Sequence, residues 1–422
     1  MQPLSREVKH LVMNTKEIFN TLKNYPTKMK IIFYLLPLLV LLSCSQNQKA
    51  DNLSIEVISI NLDKKENKEM SEFIEKIELV PLHTDTNSII STYKKIDYCD
   101  ELDMFIILDK ELVVSLFSWD GQFIANSKNV IGEGPNEYRT AVDVIYNPFS
   151  RAIEILNPYG TIYRYNTSFQ FIEKISLEQN SKIFSRFVSI SNNEYILTPV
   201  MSGYKDATIV FCNYNKKKII KSISYEEDCI SSITMNYNPF FTSNNNLIFS
   251  PLCLNYSFYQ VDRVNQDISP IIKLDFGDNT IQKESLIEKF GNSSQENENR
   301  EDIERNLKTL NDINSFLLKS SASIPIIKFF NEQYIYTYSI QNNNRISYIY
   351  NRKNKQSYMQ TNNSQTKLIF CLGINNNCLY SAIQPYELEE YVDKNLLPTD
   401  YQSIVSKIND EDNPIIVKYY LK

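Results

Sequence analysis

One segment repeats its own strand pattern at a fixed distance, and this constrains the fold more than any other feature of the chain. "FIILDKELVVSLFSWDGQFI" (Phe105–Ile124) lies over "IEILNPYGTIYRYNTSFQFI" (Ile153–Ile172) without a gap at an offset of 48. In that register Ile107, Leu108 and Asp109 fall on Ile155, Leu156 and Asn157, Phe117 falls on Tyr165, and Gln122-Phe123-Ile124 falls on Gln170-Phe171-Ile172. Each copy reads as strand, turn, strand, polar turn, strand, because runs rich in Ile, Val, Tyr and Phe favour extended backbone and Asn, Asp, Ser and Lys separate them.

Weaker copies follow. "NEYILTPV" with "ATIVFCNYNKKKIIKSIS" makes a third, in which Asn213–Lys217 fills the turn held by Ser118–Gly121 in the first. "NNLIFSPL" with "SFYQVDRVNQDISPIIKLDF" makes a fourth, "EQYIYTYSI" with "RISYIYNRKNKQSYMQ" a fifth, and "LIFCLGINNNCLYSAI" with the terminal "NPIIVKYYLK" a less regular sixth. Repeats of 40 to 50 residues holding about four short strands each are the mark of propeller blades. One four-stranded blade cannot cover both of its faces, and radial packing against neighbours does so. The expected fold is therefore all-β, a six-bladed β-propeller, with "IELVPL" (Ile77–Leu82) and the last strand at Ile415–Leu421 sharing one blade to close the ring.

Between residues 281 and 318 the strand language stops. Ile303, Leu307, Leu310, Ile313 and Leu317 recur at helical spacing, which predicts a helical insertion with one apolar face, and Glu301, Asp302 and Glu304 stand near its start, where the helix dipole favours acids. The "GNSSQENENR" ahead of it reads as an exposed loop.

The N-terminal region carries an address. "MKIIFYLLPLLVLLSCSQ" begins at Met29 with a lysine and then twelve apolar or proline residues, Ile31–Leu42, too few to span a bilayer comfortably and suited to a secretory signal peptide. Its end, Leu41-Leu42-Ser43-Cys44, resembles the lipobox of bacterial lipoproteins, whose cysteine is diacylated and becomes the mature N-terminus. The expected organisation is an upstream extension over 1–28, a signal peptide over 29–43, an anchor linker over 44–53, and the propeller over 54–422 with its insertion at 281–318. Cys44 then serves as a membrane anchor, since two or more acyl chains give stable attachment. Ser45 after the anchor favours the outer membrane by analogy with known sorting rules, and "SQNQKADN" lacks a dense acidic cluster, which favours the periplasm-facing leaflet.

Residues 1–44 hold six Lys/Arg and two Asp/Glu, leaving 38 basic against 48 acidic residues beyond them. That balance argues against nucleic acid, whose binding needs clustered positive charge. Six cysteines remain, Cys99, Cys212, Cys229, Cys253, Cys371 and Cys378, an even number that permits disulfides in an exported protein. No pair has CxxC spacing, and Cys212, Cys253 and Cys371 sit in apolar strand-like runs, so they read as buried free thiols. With His83 alone beyond residue 44, no zinc site is expected, nor any other metal or cofactor.

"NVIGEGPNEYR" (Asn129–Arg139) concentrates two of the chain's eight glycines. A dinucleotide-binding loop would need a third glycine and a following helix. Here Glu137 takes the third-glycine position, Pro135 follows the second glycine, and "TAVDVIYNP" reads as a strand. Gly132, Gly134, Pro135, Glu137 and Tyr138, set just after the "DGQFI" turn, resemble the glycine-x-glycine-proline-x-glutamate-tyrosine signature of the six-bladed β-propeller lipoproteins common in gut Bacteroidota. "LDFG" (Leu274–Gly277) and "EDNPII" (Glu411–Ile416) match the same family, and Asn136 departs from it where another glycine is frequent. The resemblance implies an NHL-like or TolB-like propeller without transferable catalytic residues. It also implies that the signature shapes a connection between blades, with Glu137 capping local amides or, alternatively, facing a ligand, and Tyr138 packing.

No GxSxG elbow and no DxDxDG loop occurs, "SWDG" lacks the spacing of a sialidase Asp box, and His83 reads as a surface turn residue. Asp100, Glu101, Glu226, Glu227 and Asp228 are carboxylates that only a folded chain can bring together. Trp119 is the sole tryptophan beside 28 Tyr and 22 Phe, a supply that fills wedges between blades or makes a stacking surface. The expected function is a binding or scaffolding module of the cell envelope for a peptide, glycan or protein partner; the alternative is a propeller hydrolase or lyase with carboxylates at the channel mouth.

Overall fold

Strand-forming runs and asparagine-rich turns alternate along the chain, and each run finds its hydrogen bonds in a small sheet of its own. The computed structural model describes residues 55–62, 69–178, 182–200, 205–229, 238–251, 253–281, 283–290, 300–362 and 367–422. Two strands come first, β1 (Glu56–Ser59) and β2 (Ile74–Pro81). Blade 1 holds β3 (Tyr93–Cys99), β4 (Met104–Asp109), β5 (Val114–Ser118) and β6 (Phe123–Asn126), and blade 2 holds β7 (Asp143–Asn147), β8 (Ala152–Leu156), β9 (Thr161–Tyr165) and β10 (Phe171–Ser176). Blade 3 contains β11 (Phe184–Ser189), β12 (Glu194–Pro199), β13 (Lys205–Asn213) and β14 (Lys218–Cys229), and blade 4 contains β15 (Phe240–Ser243), β16 (Asn246–Phe249), β17 (Ser257–Asp262) and β18 (Asp267–Asp275). Blade 5 is β19 (Ile324–Phe330), β20 (Tyr334–Gln341), β21 (Asn344–Asn351) and β22 (Ser357–Thr361); the last blade has β23 (Gly373–Asn375), β24 (Cys378–Ile383) and β25 (Ile415–Leu421).

The six sheets form a six-bladed β-propeller, as the repeat predicts. The turn chemistry explains the short strands. Asn244-Asn245 joins β15 to β16 and Asn342-Asn343 joins β20 to β21, each pair at positive φ, the geometry of a two-residue hairpin whose twist matches the strands it connects. Second strands such as β4 and β8 are buried along their whole length, because both faces of a blade meet a neighbour.

Six apolar clusters sit in the six wedges between neighbouring blades. Aromatic rings make much of that filling: Phe329 stacks on Tyr336 at 4.7 Å, and Phe258 meets Phe330 edge-on at 5.0 Å. Trp119 lies in the wedge between the last blade and blade 1, stacked on Phe105 at 5.2 Å with the Lys418 ammonium 3.7 Å from its ring.

The ring closes where the sequence places the closure. β2 supplies the outer strand of the last blade and pairs antiparallel with β25, from Ile74 opposite Leu421 to Pro81 opposite Ile415. β1 adds an element that the repeat does not disclose, a fifth strand running parallel to β18 at the outer edge of blade 4. Phe73, just ahead of β2, stacks on Tyr358 of blade 5 at 4.4 Å, and Glu56 of β1 pairs with Arg352 of the same blade.

The insertion between β18 and β19 is two helices, α1 (Lys283–Phe290) and α2 (Arg300–Lys319). Ile313 and Leu317 of the predicted apolar stripe are buried against Leu254, Leu286 and Ile324, while the side chains of Ile303, Leu307 and Leu310 lie outside the described set. A second helical excursion, with α3 (Leu388–Tyr391) and α4 (Tyr401–Val405), joins β24 to β25. Its helices are too short for a 3.6-residue period to show in the sequence. In an up-and-down blade, connections between blades and turns from second to third strands emerge on one face. Both excursions therefore share a face with the Gly132–Tyr138 turn.

Candidate functional site: the axial cavity

All six inner strands, β3, β7, β11, β15, β19 and β23, contribute to a cavity of 260 Å³ on the propeller axis. Its walls divide by chemistry. Blade 1 supplies Asp97 and Cys99 at the end of β3 and Asp100 in the turn that follows, whereas Phe187, Phe240, Phe241, Phe329, Ile145 and Ile374 make the remaining wall mostly apolar.

The polar corner is built by pairing. Lys95, only 3% exposed, places its ammonium 2.8 Å from Asp143 Oδ1 and donates to the Val144 carbonyl at 2.8 Å, joining the inner strands of blades 1 and 2. The other oxygen of Asp143 accepts from the Phe187 amide at 3.0 Å, so blade 3 joins the same network. Asp97 stands apart: its carboxylate is 3.9 Å from the Lys95 ammonium, remains 29% exposed to the cavity, and accepts from Asn238 Nδ2 at 2.9 Å. Asn238 lies just ahead of β15 in the opposite blade, so this bond crosses the axis. Burial pushes the Asp97 carboxyl above the ordinary carboxylate range despite Lys95, and burial together with Asp103 does the same to Asp100. Burial also raises the Cys99 thiol to about 11, which keeps it protonated and a poor nucleophile.

Glu101 accepts from the Tyr146 hydroxyl at 3.2 Å, outside the cavity wall. The side chains of Glu226, Glu227 and Asp228 lie outside the described residues, as does Cys44. His83 is about half exposed in the connection from β2 to β3, 3.4 Å from Asp85. Among the described residues no group of three or more His, Cys, Asp and Glu side chains is arranged to hold a metal ion.

The Gly132–Tyr138 turn does not line the cavity. Glu137 folds its carboxylate back over the turn and accepts from the Gly134 amide at 2.9 Å. A Cβ added to Gly132 would lie 2.1 Å from Glu137 Oε2, and one added to Gly134 would lie 3.0 Å from the same oxygen. Neither glycine has positive φ, so the two residues make room for a carboxylate and not for a left-handed backbone. Tyr138 is fully buried, donates to the Leu112 carbonyl at 2.7 Å and meets Ser127 Oγ at 2.5 Å, and Tyr165 of blade 2 donates to the Asn136 carbonyl at 2.9 Å. Pro135 occupies the tip between these fixed points. The turn is thereby fastened to blades 1 and 2 together.

The cysteine expectation needs one correction. Cys212 and Cys371 are buried free thiols, but Cys253 is disulfide-bonded. Its apolar run, read as a strand in the sequence, is instead the connection between β16 and β17. Cys253 is expected to resist alkylation in the folded chain until a reductant is added; labelling of Cys253 in fully oxidised protein, read by peptide mass spectrometry, would contradict the bond.

Fold and cavity define a six-bladed β-propeller whose axial cavity has its carboxyls on blade 1. Residues 55–420 match the DUF4934 family, described as a domain of unknown function, and the chain belongs to that family. No curated protein is similar enough to count as a match. Among solved structures, a Bacteroides fragilis protein provisionally described as exported has the same fold, with a TM-score of 0.64 at 16% identity over 87% of this chain and 100% of that one. The Pan2 WD40 domain of Neurospora crassa is a more distant likeness, at TM-score 0.34 and 8% identity over 67% of this chain and 71% of that one, and carries no argument here.

Proposed function

We propose that this chain is a cell-envelope lipoprotein, anchored in the outer membrane through Cys44 and facing the periplasm, whose propeller is a binding module that takes its ligand, or a side chain of a peptide, glycan or protein partner, into the axial cavity. The observation that carries the reading is the cavity itself, to which six strands converge with carboxyls on one side and rings on the other. The lipobox-like Leu41–Cys44 supports the anchor. A disulfide at Cys253 suits an oxidising compartment, as does a similar fold in a protein provisionally described as exported.

Raised carboxyls in a channel also suit a hydrolase or lyase. Both carboxyls of the cavity wall, however, come from blade 1 within three residues of each other, and Phe240 and Phe241 stand on the opposite blade. Acid–base cleavage of a glycoside needs carboxylates flanking the bond from two sides, so the arrangement supports binding.

Two variants test the reading. Cys44→Ala is expected to lose acyl labelling and to leave the membrane fraction, and a variant retained on membranes would defeat the anchor. Thr242→Trp places an indole in the cavity wall; native mass spectrometry after incubation with envelope extract is expected to find a retained ligand on the wild-type chain and none on this variant. Equal retention by both would remove the cavity as the site.

A further inference from the structure

We infer that the axial cavity receives a small organic cation, a primary ammonium carried on an apolar or aromatic body; this rests on the reading that the cavity is the binding site. Charge gives the first argument. Among the described residues Lys95 is the cation within ion-pair distance of Asp97, and it is held by Asp143 and the Val144 carbonyl at 2.8 Å each, leaving Asp97 at 3.9 Å with the neutral Asn238 amide as its closer partner. Asp100 lies beside it with Asp103 behind, and among the described residues no cation stands within ion-pair distance of Asp100. Asp97 and Asp143 thus share one lysine while Asp100 has no cation beside it, a deficit that a bound cation would redress.

The walls give the second argument. Phe187, Phe240, Phe241 and Phe329 line the cavity away from the acids, Phe241 half-buried and the other three packed deep in the wedges with little of their surface left to a ligand. Aromatic rings attract an ammonium through their quadrupoles and cover the apolar body that carries it. A monosaccharide would leave hydroxyls unpaired against these rings, at a cost that grows with each buried group. An anion would meet Asp97 and Asp100 directly, and the described residues offer no three-ligand cluster to a metal ion.

Size gives the third. At 260 Å³ the cavity falls below the roughly 300–1,000 Å³ typical of sites for drug-sized ligands, which fits a group of side-chain dimensions.

The test uses three probes of one shape: phenethylamine, 2-phenylethanol and phenylacetate, titrated calorimetrically into the full folded chain, into Asp97→Asn and into Thr242→Trp. Asparagine at position 97 can still accept from Asn238, and circular dichroism checks that each variant is folded. Phenethylamine is expected to bind at least about tenfold more tightly than the alcohol and to lose a similar factor in Asp97→Asn, the range set by a hydrogen bond to a charged group, with no measurable phenylacetate binding. Equal affinity for amine and alcohol, or an undiminished amine affinity in Asp97→Asn, would overturn the cation. Amine binding that survives in Thr242→Trp would overturn its location. If no probe binds while Thr242→Trp still loses the extract ligand, the ammonium proposal fails and the cavity reading stands.

Discussion

Arg164→Met should destabilise the chain by about 3–5 kcal/mol, because removing one partner of a buried ion pair strands the other charge. Arg164 and Glu154 are both essentially inaccessible, with Nε 2.7 Å from Glu154 Oε1, on neighbouring strands of blade 2. The guanidinium also donates to the Tyr195 hydroxyl at 2.6 Å, to the Asn192 carbonyl and to Glu173, and Tyr195 donates to Glu154 at 2.9 Å. One residue therefore ties blade 2 to blade 3. Burial already holds the Glu154 carboxyl above its ordinary range, Arg164 opposing it only in part. Without Arg164 the carboxyl rises further, so the folded chain keeps a proton that the unfolded chain releases. A carboxyl raised in the folded state gives stability that is present at low pH and lost as pH climbs. Denaturant midpoints for Arg164→Met should accordingly fall more steeply than wild type between about pH 5 and about pH 8. The double variant Arg164→Met/Glu154→Gln should recover much of the loss, and a double variant as unstable as the single one would show that the charge left behind is not the cause.

Val80→Asp is expected to open the ring at its closure, at a cost of several kcal/mol for an unpaired buried charge. Val80 is buried opposite Ile416 on the pair of strands that joins the two ends of the described chain, and it packs in the wedge that also holds Phe105, Phe117 and Trp119. The sole tryptophan reports on this seam: Trp119 rests between Phe105 and Tyr98, its carbonyl accepts from Lys418 at 2.9 Å, and the same ammonium sits over its ring. Tryptophan emission should shift to longer wavelength in Val80→Asp at denaturant concentrations that leave the wild type unchanged, and Val80→Ile should behave as wild type. An unshifted emission with a lowered midpoint would place the damage elsewhere in the ring.

Much of the architecture was legible because a propeller writes its period into the chain. The offset of 48 that aligns Phe105–Ile124 with Ile153–Ile172 is the distance between equivalent strands of blades 1 and 2, and it also separates Lys95 from Asp143, which meet across the seam. The closing strand was legible in Ile77–Leu82, since a blade short of one strand needs another from the far end. β1 and the helices of the 385–405 excursion were not, as each is shorter than the window over which a period can be recognised.

The site was less legible. Asp100 could be named as a carboxylate among several, yet nothing in the local sequence distinguishes it from Glu101, which stays out of the cavity wall and reaches it only through the Tyr146 hydroxyl. Asp97 and Asn238 are 141 positions apart and meet because blades 1 and 4 face each other across the axis. The glycine pair at 132 and 134 announces a special turn, but only the folded chain shows that the space is filled by Glu137.

Sequence by itself determined the blade count, the closure and the helical insertion, because strand periodicity and turn chemistry act between near neighbours. Tertiary structure alone decided which charged groups share a low-dielectric space. Lys95 with Asp143, Arg164 with Glu154, and the under-paired Asp97 at the axis owe their character to distances of a few ångströms across blade seams, and Coulomb energies depend on such distances and on burial, neither of which a linear chain contains.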